Sequence, residues 1–546
     1  MDLCKRHPFT CVLLFYGGAL LLGFALTRDG LSTWDSPAHR KYMLWLIGKW
    51  RGEELPLPFE TMRWYSPLWE YVLALFTSVF RFLDDPLWVR QAVNFTLLPS
   101  TLAVTYLSLR AAGESRGTAL LAVALLCGNV RFVGHSLVNL KDFPLACGYL
   151  LSTLLLWNVL THKLDGLPGL LGKPGWLFVA TLLSVVPYLL RAPVIQHWLL
   201  LVGLCLWAAL REAKALPAKR RWAVALLPIV TGPLVVFVLW PTLWETGLRG
   251  FTESFSLFSK FTWPGRVRLF GQTYFSNALP WWYGPAWVPV SWEPVGLLVL
   301  LGGLGAFALL VARAVLRGWR RPIPALLESL PLWVALLGAA PWVAVLVLRP
   351  VLYDEDRHLL FAMPLLAVGA ALGLRGLGEK AQVALSCLVL ASAAWAVGSW
   401  GKYAYVYKDP LLPRSANEDF MGDYWGAASG AMAQALYDHV PSGSYVVVIA
   451  PLDSVLEELE RRERSLLMHA PEPKRFQLED RGPSSGPFYV VAMNRNGVDR
   501  RVLEDIREGR AREVWRERMP PGDSVAAVLA YYTEPCPHCR LKLRWL

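Results

Sequence analysis

Between residues 9 and 400 the chain is a succession of apolar runs separated by short polar segments that collect Arg and Lys. Lipid offers a backbone no hydrogen-bond partners, so runs of this length and spacing can fold only as a set of membrane-crossing helices. The composition agrees, since 55% of the 546 residues are hydrophobic, 18% are charged and the mean hydropathy is +0.37. A net charge of +12 would suit a nucleic-acid partner. Here the basic residues cluster between apolar runs, as the positive-inside rule requires, and a nucleic-acid function is excluded on that pattern.

Lys5 and Arg6 precede the apolar run Phe9 to Leu26, and no small-residue cleavage site follows it. The run therefore reads as a first membrane helix with its N-terminus in the cytoplasm rather than a signal peptide. Residues 28 to 67 read as a long polar loop that contains Trp34-Asp35-Ser36-Pro37-Ala38-His39. The next apolar stretch, Leu68 to Leu83, has about sixteen residues against the roughly twenty needed to cross. If it lies at the interface, the clusters around Arg110, Lys163, Arg220, Arg320 and Arg375 all fall in the cytoplasm, so that choice is adopted.

Eleven crossings are then expected, near residues 9–27, 92–110, 118–134, 143–160, 176–190, 195–210, 222–240, 286–313, 330–348, 359–375 and 381–400. This parity puts segments 28–91, 135–142, 241–285 and 349–358 on the external face. From about residue 408 the hydropathy falls, and Tyr445–Ala450, Phe488–Met493 and Val525–Tyr532 read as strands between charged helical stretches. The expected organisation is a mainly α, polytopic membrane unit over 1–407 and a small external α/β domain over 408–546.

Polar groups that recur on one face of such a protein are candidates for chemistry. Asp35 and Asp142 each sit just outside a crossing, where a carboxylate avoids the cost of insertion. Either could instead be a solvated loop residue, and Asp142-Phe143-Pro144 also has the form of a helix start. Arg357-His358 follows Asp354-Glu355-Asp356. It can be an interfacial anchor, or a phosphate site in which the guanidinium grips two oxygens and the imidazole adds a donor that can be cationic. Arg191 and Lys141 are further candidates of the same kind. The external loop 241–285 carries Trp281, Trp282 and Tyr283, which read mainly as belt residues but could line a groove for an isoprenoid chain or a sugar. Cys536 and Cys539 have half the ligands of a zinc site, so a local disulfide or no function is the better reading. The sequon at Asn94 lies in an expected crossing and is discarded.

Four of these stretches together resemble a GT-C-fold glycosyltransferase of family 39, the protein O-mannosyltransferase and lipid A aminoarabinose transferase kind. Asp35-Ser36-Pro37-Ala38-His39 resembles the family's acidic first-loop motif, with Ser36 where a second acid is common. Asn139-Leu140-Lys141-Asp142-Phe143-Pro144, Leu279 to Pro285 and Tyr353-Asp354 with Arg357-His358 resemble later motifs in the same order. Asp423-Tyr424-Trp425-Gly426 is a weaker fifth match. The resemblance implies a sugar moved from a polyprenyl-phosphate carrier to a hydroxyl of a protein or glycolipid on the extracytoplasmic face, in a bacterial inner membrane. It implies Asp35 as base, and Asp142 would orient the base, the acceptor or Lys141. Arg357, His358, Arg191 and Lys141 would meet the donor phosphate, and His39, Trp281, Trp282, Tyr283 and Tyr353 would meet substrate. No metal or other cofactor is required, although divalent-metal dependence is left open. An oligosaccharyltransferase-like enzyme, a lipid or sugar transporter and an inactive scaffold are the alternatives.

Overall fold

A computed structural model describes residues 8–534 except 28–31, 84–85, 165–170, 193, 213–216, 260–264, 319–321, 413–419, 451, 468–475, 480–485, 495–498 and 521–523. The architecture is mainly helical, with one mixed sheet in the C-terminal part. Among the described residues six helices are long and apolar enough to cross a membrane, namely Pro86–Ala111, Asp142–Lys163, Ala218–Leu239, Pro294–Gly318, Leu330–Leu348 and Glu379–Val406. Shorter apolar helices occupy Leu14–Leu26, Leu68–Val79, Arg116–Gly128, Pro174–Leu190, Gln196–Arg211 and Met363–Gly376. Each expected crossing falls on one of these, and the segment assigned to the interface is the 12-residue helix Leu68–Val79.

The structure departs from the sequence reading at several boundaries, each with a local cause. Residues 28–67 are not simply a loop, because Ser36–Arg51 is a helix with eight buried residues, started by Pro37 and stopped by Gly52 in the left-handed region (φ 73°). The run 118–134 is broken at Asn129, whose side chain accepts from the Phe132 N–H and caps a separate helix, Val130–Val138. The run 286–313 is broken at Trp292-Glu293, and the Glu293 carboxylate accepts from the N–H groups of Val295 and Gly296 at the head of Pro294–Gly318. Periodicity reads such runs as continuous because the capping residues are single polar interruptions.

The C-terminal sheet runs Gln477–Glu479, Tyr445–Ile449, Phe488–Met493, Ser524–Tyr532, Arg512–Met519 in spatial order. The first three strands are parallel, with Val447 opposite Val490, and the last two join antiparallel, with Val490 opposite Ala530. Three expected strands are present. Arg512–Met519 escaped notice because it is an edge strand whose charged side chains leave little apolar alternation to read. Cys536 and Cys539 lie outside the described residues.

One close approach ties the helical bundle to the turn beyond its last crossing. A Cβ on Gly134 would lie 2.1 Å from the Tyr405 nitrogen, so only glycine lets Val130–Val138 press against the 3-10 turn Gly401–Val406. Tyr405, Tyr424 and Trp425 are buried in the same apolar core as helices of the crossing bundle.

Candidate active site

Asp35 occupies the N-cap position of Ser36–Arg51, yet its side chain makes no capping bond. The carboxylate is instead paired with Lys141, Oδ2 to Nζ, at 3.1 Å. Ser36, where a second acid might have stood, faces back onto Thr33: the hydroxyls are 2.8 Å apart and the Thr33 N–H donates to Ser36 Oγ. His39 is buried, with Nδ1 2.6 Å from Glu70 Oε1, and Glu70 in turn meets Arg90 at 3.2 Å. These contacts brace the helices Ser36–Arg51, Leu68–Val79 and Pro86–Ala111 against one another.

Lys141 and Asp142 are presented by a turn that Asn139 builds. Its Oδ1 accepts from the N–H groups of Lys141 (3.1 Å) and Asp142 (2.8 Å), and Asn94 donates to the carbonyls of Ser136 and Asn139 from a neighbouring helix. Asp142 then opens its helix with a buried carboxylate that accepts from Asn139 Nδ2 at 3.4 Å. Its Oδ1 lies 2.7 Å from Arg191 Nη1 and its Oδ2 3.9 Å from Arg357 Nε.

The third element is the turn at 353–358. Asp354 (φ 55°) and Glu355 (φ 64°) both adopt the left-handed region, which costs a non-glycine residue about 1–3 kcal/mol. Each is held there by a guanidinium. Arg357 Nη1 meets Asp354 Oδ2 at 3.0 Å, while fully buried Arg131 pairs with Glu355 and, at 2.8 Å, with Asp356. The Arg357 guanidinium carbon also lies 4.7 Å from the centre of the Tyr353 ring and 5.0 Å from that of Trp425.

Electrostatics set the protonation states. Burial raises the Asp35 carboxyl, but Lys141, Arg357 and His39 together outweigh it and hold the group well below its ordinary value of 3.8. Burial likewise depresses Lys141, and Asp35, Tyr65 and Asp142 together more than reverse this. For His358, burial and the adjacent Arg357 both push the pKa well below 6.5, so the imidazole is neutral and not the cation the sequence reading allowed. Its Nδ1 accepts from the Tyr353 N–H at 3.4 Å, which leaves Nε2 as the protonated nitrogen.

A carboxyl with a depressed folded pKa contributes stability above its unfolded pKa of about 4 and loses it as pH falls through the folded value. Replacing Lys141 by Met removes the largest stabiliser of the Asp35 anion, so the Asp35 pKa rises. If Asp35 must be ionised for turnover, the acid limb of the pH–rate profile of Lys141→Met moves to higher pH relative to the parent. An unmoved limb would separate Asp35 from that titration.

Asp142, Arg191, Tyr353, Arg357 and His358 line a cavity of about 370 Å³ together with Tyr65, Gln196 and a majority of apolar side chains. Ile195 and Phe255 also line a second cavity of about 660 Å³, otherwise walled largely by apolar side chains such as Val185, Trp198, Val236 and Phe251. The two spaces adjoin at those shared residues.

Of the residues singled out from sequence, Asp35, Lys141, Asp142, Arg191, Tyr353, Arg357 and His358 come together. Tyr283 is buried beneath the turn, its hydroxyl donating to the Glu355 carbonyl at 3.1 Å, and Trp282 packs on Tyr274. Trp281 is 73% exposed and makes no contact with the cluster among the described residues. Sequence reasoning did not assign Glu70, Arg90 or Arg131 to the site, and it named Trp425 only within the weaker fifth match. Arg131 carried a usable signal, because a cation inside an apparently apolar crossing demands a partner.

No protein-family profile matches the sequence, and no curated protein matches it either. Solved structures do. ArnT from Cupriavidus metallidurans, bound to undecaprenyl phosphate, aligns with 96% of this chain and 98% of its own at 14% identity and a TM-score of 0.47. Its apo form gives 0.48 over the same coverage. The Archaeoglobus fulgidus oligosaccharyltransferase, tethered with an acceptor peptide, aligns with 82% of this chain and 62% of its own at 12% identity and a TM-score of 0.39.

Proposed function

We propose that the protein is an integral membrane glycosyltransferase that moves a sugar from a polyprenyl-phosphate carrier to an acceptor hydroxyl on the extracytoplasmic face. The observation that carries this reading is the junction of the two cavities. Arg191 and Arg357, each paired with Asp142, line the first, and the largely apolar second space shares Ile195 and Phe255 with it. That pairing suits a ligand with an anionic head and a long hydrocarbon tail.

In this reading Asp35 takes the acceptor proton as the acceptor oxygen bonds to the anomeric carbon. The bond from that carbon to the phosphate oxygen breaks, its electron pair leaving with the lipid phosphate, and a single displacement inverts the anomeric centre. Arg357, Arg191 and Lys141 stabilise the charge that develops on the leaving oxygen. His358 Nε2 supplies a neutral donor, and Asp142 keeps Arg191 and Arg357 in place. Lys141 gains a second anionic partner when the donor binds. As it is shared with phosphate its hold on Asp35 weakens, and the carboxylate becomes a stronger base at the stage when one is needed.

Membranes supplied with polyprenyl-phosphate sugar test the reading. Arg357→Ala is expected to weaken use of the donor by about tenfold or more, the worth of a charge-assisted contact in a dry site, and to leave the dependence on acceptor much less altered. A donor dependence equal to the parent's removes Arg357 from the phosphate site.

A further inference from the structure

The membrane helices do not complete the cluster by themselves. Trp425 belongs to the turn Gly422–Gly426, which precedes the helix Ser429–His439 of the C-terminal unit. That turn is rigidly built. The Asp423 carboxylate accepts from the N–H groups of Gly426, Ala427 and Ala428 at 2.7–2.9 Å, and Gly426 takes the left-handed φ of 81° that closes the loop. A Cβ on Gly422 would lie 2.3 Å from the Asn494 carbonyl oxygen, and Asn494 is bonded to the sheet strand Ser524–Tyr532 through Ala526 and Val525. The turn is therefore fixed to the sheet.

From this base the C-terminal unit grips the opening segment at consecutive residues. Ser32 donates through its N–H to Glu458 (2.7 Å) and through its hydroxyl to Glu457 (2.8 Å). Ser454 donates to the Thr33 carbonyl (2.7 Å), and the Trp34 N–H donates to the Trp425 carbonyl (2.8 Å). Asp35 is the next residue. The same Trp425 sets its ring against the guanidinium of Arg357. One residue thus contacts both sides of the reaction centre, the residue before the base through its backbone carbonyl and the phosphate cation through its side chain.

We propose that Trp425 is a positioning residue for transfer, and that the C-terminal unit acts through it to hold Asp35 and Arg357 in register. The inference rests on the transferase reading above. Desolvated cation–π contacts stabilise a guanidinium at a fixed point, and a small displacement of a positioned group is enough to slow a reaction substantially. A packing role alone would not distinguish an aromatic face from other apolar filling.

The test uses the full-length protein with Trp425→Ala, Trp425→Phe, Glu457→Gln, Arg357→Ala and Asp35→Asn, with undecaprenyl phosphate as the binding probe. Turnover, probe affinity and thermal midpoint are measured for each. Trp425→Ala is expected to bind the probe about tenfold more weakly and to lower kcat by at least as much. Trp425→Phe, which keeps a ring over Arg357, is expected to recover both to within a few-fold. Glu457→Gln, which weakens the Ser32 grip and the 3.2 Å pairing with Arg40 while leaving the Trp425 ring on Arg357, is expected to lower kcat and leave probe affinity unchanged. This variant carries the test if Trp425→Ala fails to fold. Parent-like binding and kcat in Trp425→Ala, or a parent-like kcat in Glu457→Gln where the alanine variant does not fold, overturns the proposal while Arg357→Ala and Asp35→Asn remain defective. If those last two are themselves active, the transferase reading falls instead.

Discussion

Asp35→Asn is expected to lower kcat by about 10²–10⁴-fold, the range a well-placed general base contributes, while the protein still binds the lipid phosphate. Asparagine fills the same volume and accepts one hydrogen bond from Lys141, but it cannot take a proton from an acceptor hydroxyl. The side chain is spared from helix capping, so its loss does not unseat Ser36–Arg51. Lys141, freed from its 3.1 Å pairing, has every reason to hold the phosphate more tightly. The signature is therefore a fall in kcat with donor affinity kept or raised, read from initial rates at varied donor concentration. Full transfer by Asp35→Asn would leave the base unassigned.

Arg131→Met is expected to be the most destabilising single change near the site. The guanidinium is fully buried, pairs with Glu355 and Asp356, and lies 4.9 Å from the Trp287 ring centre. Methionine restores much of the volume but leaves two buried carboxylates without their cation, and breaking such a pair costs about 3–5 kcal/mol. The left-handed backbone at Glu355 loses its tether as well, so the turn that presents Arg357 relaxes. Thermal unfolding in detergent should fall by several degrees, and lipid-phosphate binding should weaken even below the transition. Arg131→Lys keeps the charge but cannot reach both acids as a planar fork does, and should fall between the two. A parent-like midpoint in Arg131→Met would mean that these acids are neutral or otherwise satisfied.

Much of this architecture is legible in the residues. The crossings announce themselves because lipid forces each to be a long apolar helix, and the C-terminal strands Tyr445–Ile449, Phe488–Met493 and Ser524–Tyr532 because their apolar side chains are packed in a sheet. The motif residues Asp35, Lys141, Asp142 and Arg357 meet because three separate turns face one space. Hidden from sequence were the partners that act at a distance along the chain. Nothing near Glu70 or Arg90 says that His39 will be engaged by them, and nothing near Trp425 says that it will lie on Arg357, since such pairings arise from the packing of elements far apart in the chain.

The cluster at the cavity is electrically balanced before any ligand arrives: Asp35, Asp142 and Asp354 stand against Lys141, Arg191 and Arg357. An incoming phosphate therefore does not fill an unmet demand for negative charge. It must displace resident oxygens one contact at a time, each carboxylate serving as a placeholder that keeps its cation extended and dry. Recognition then becomes a contest between oxygen arrangements, and an anion of the wrong shape loses it even when its charge is right.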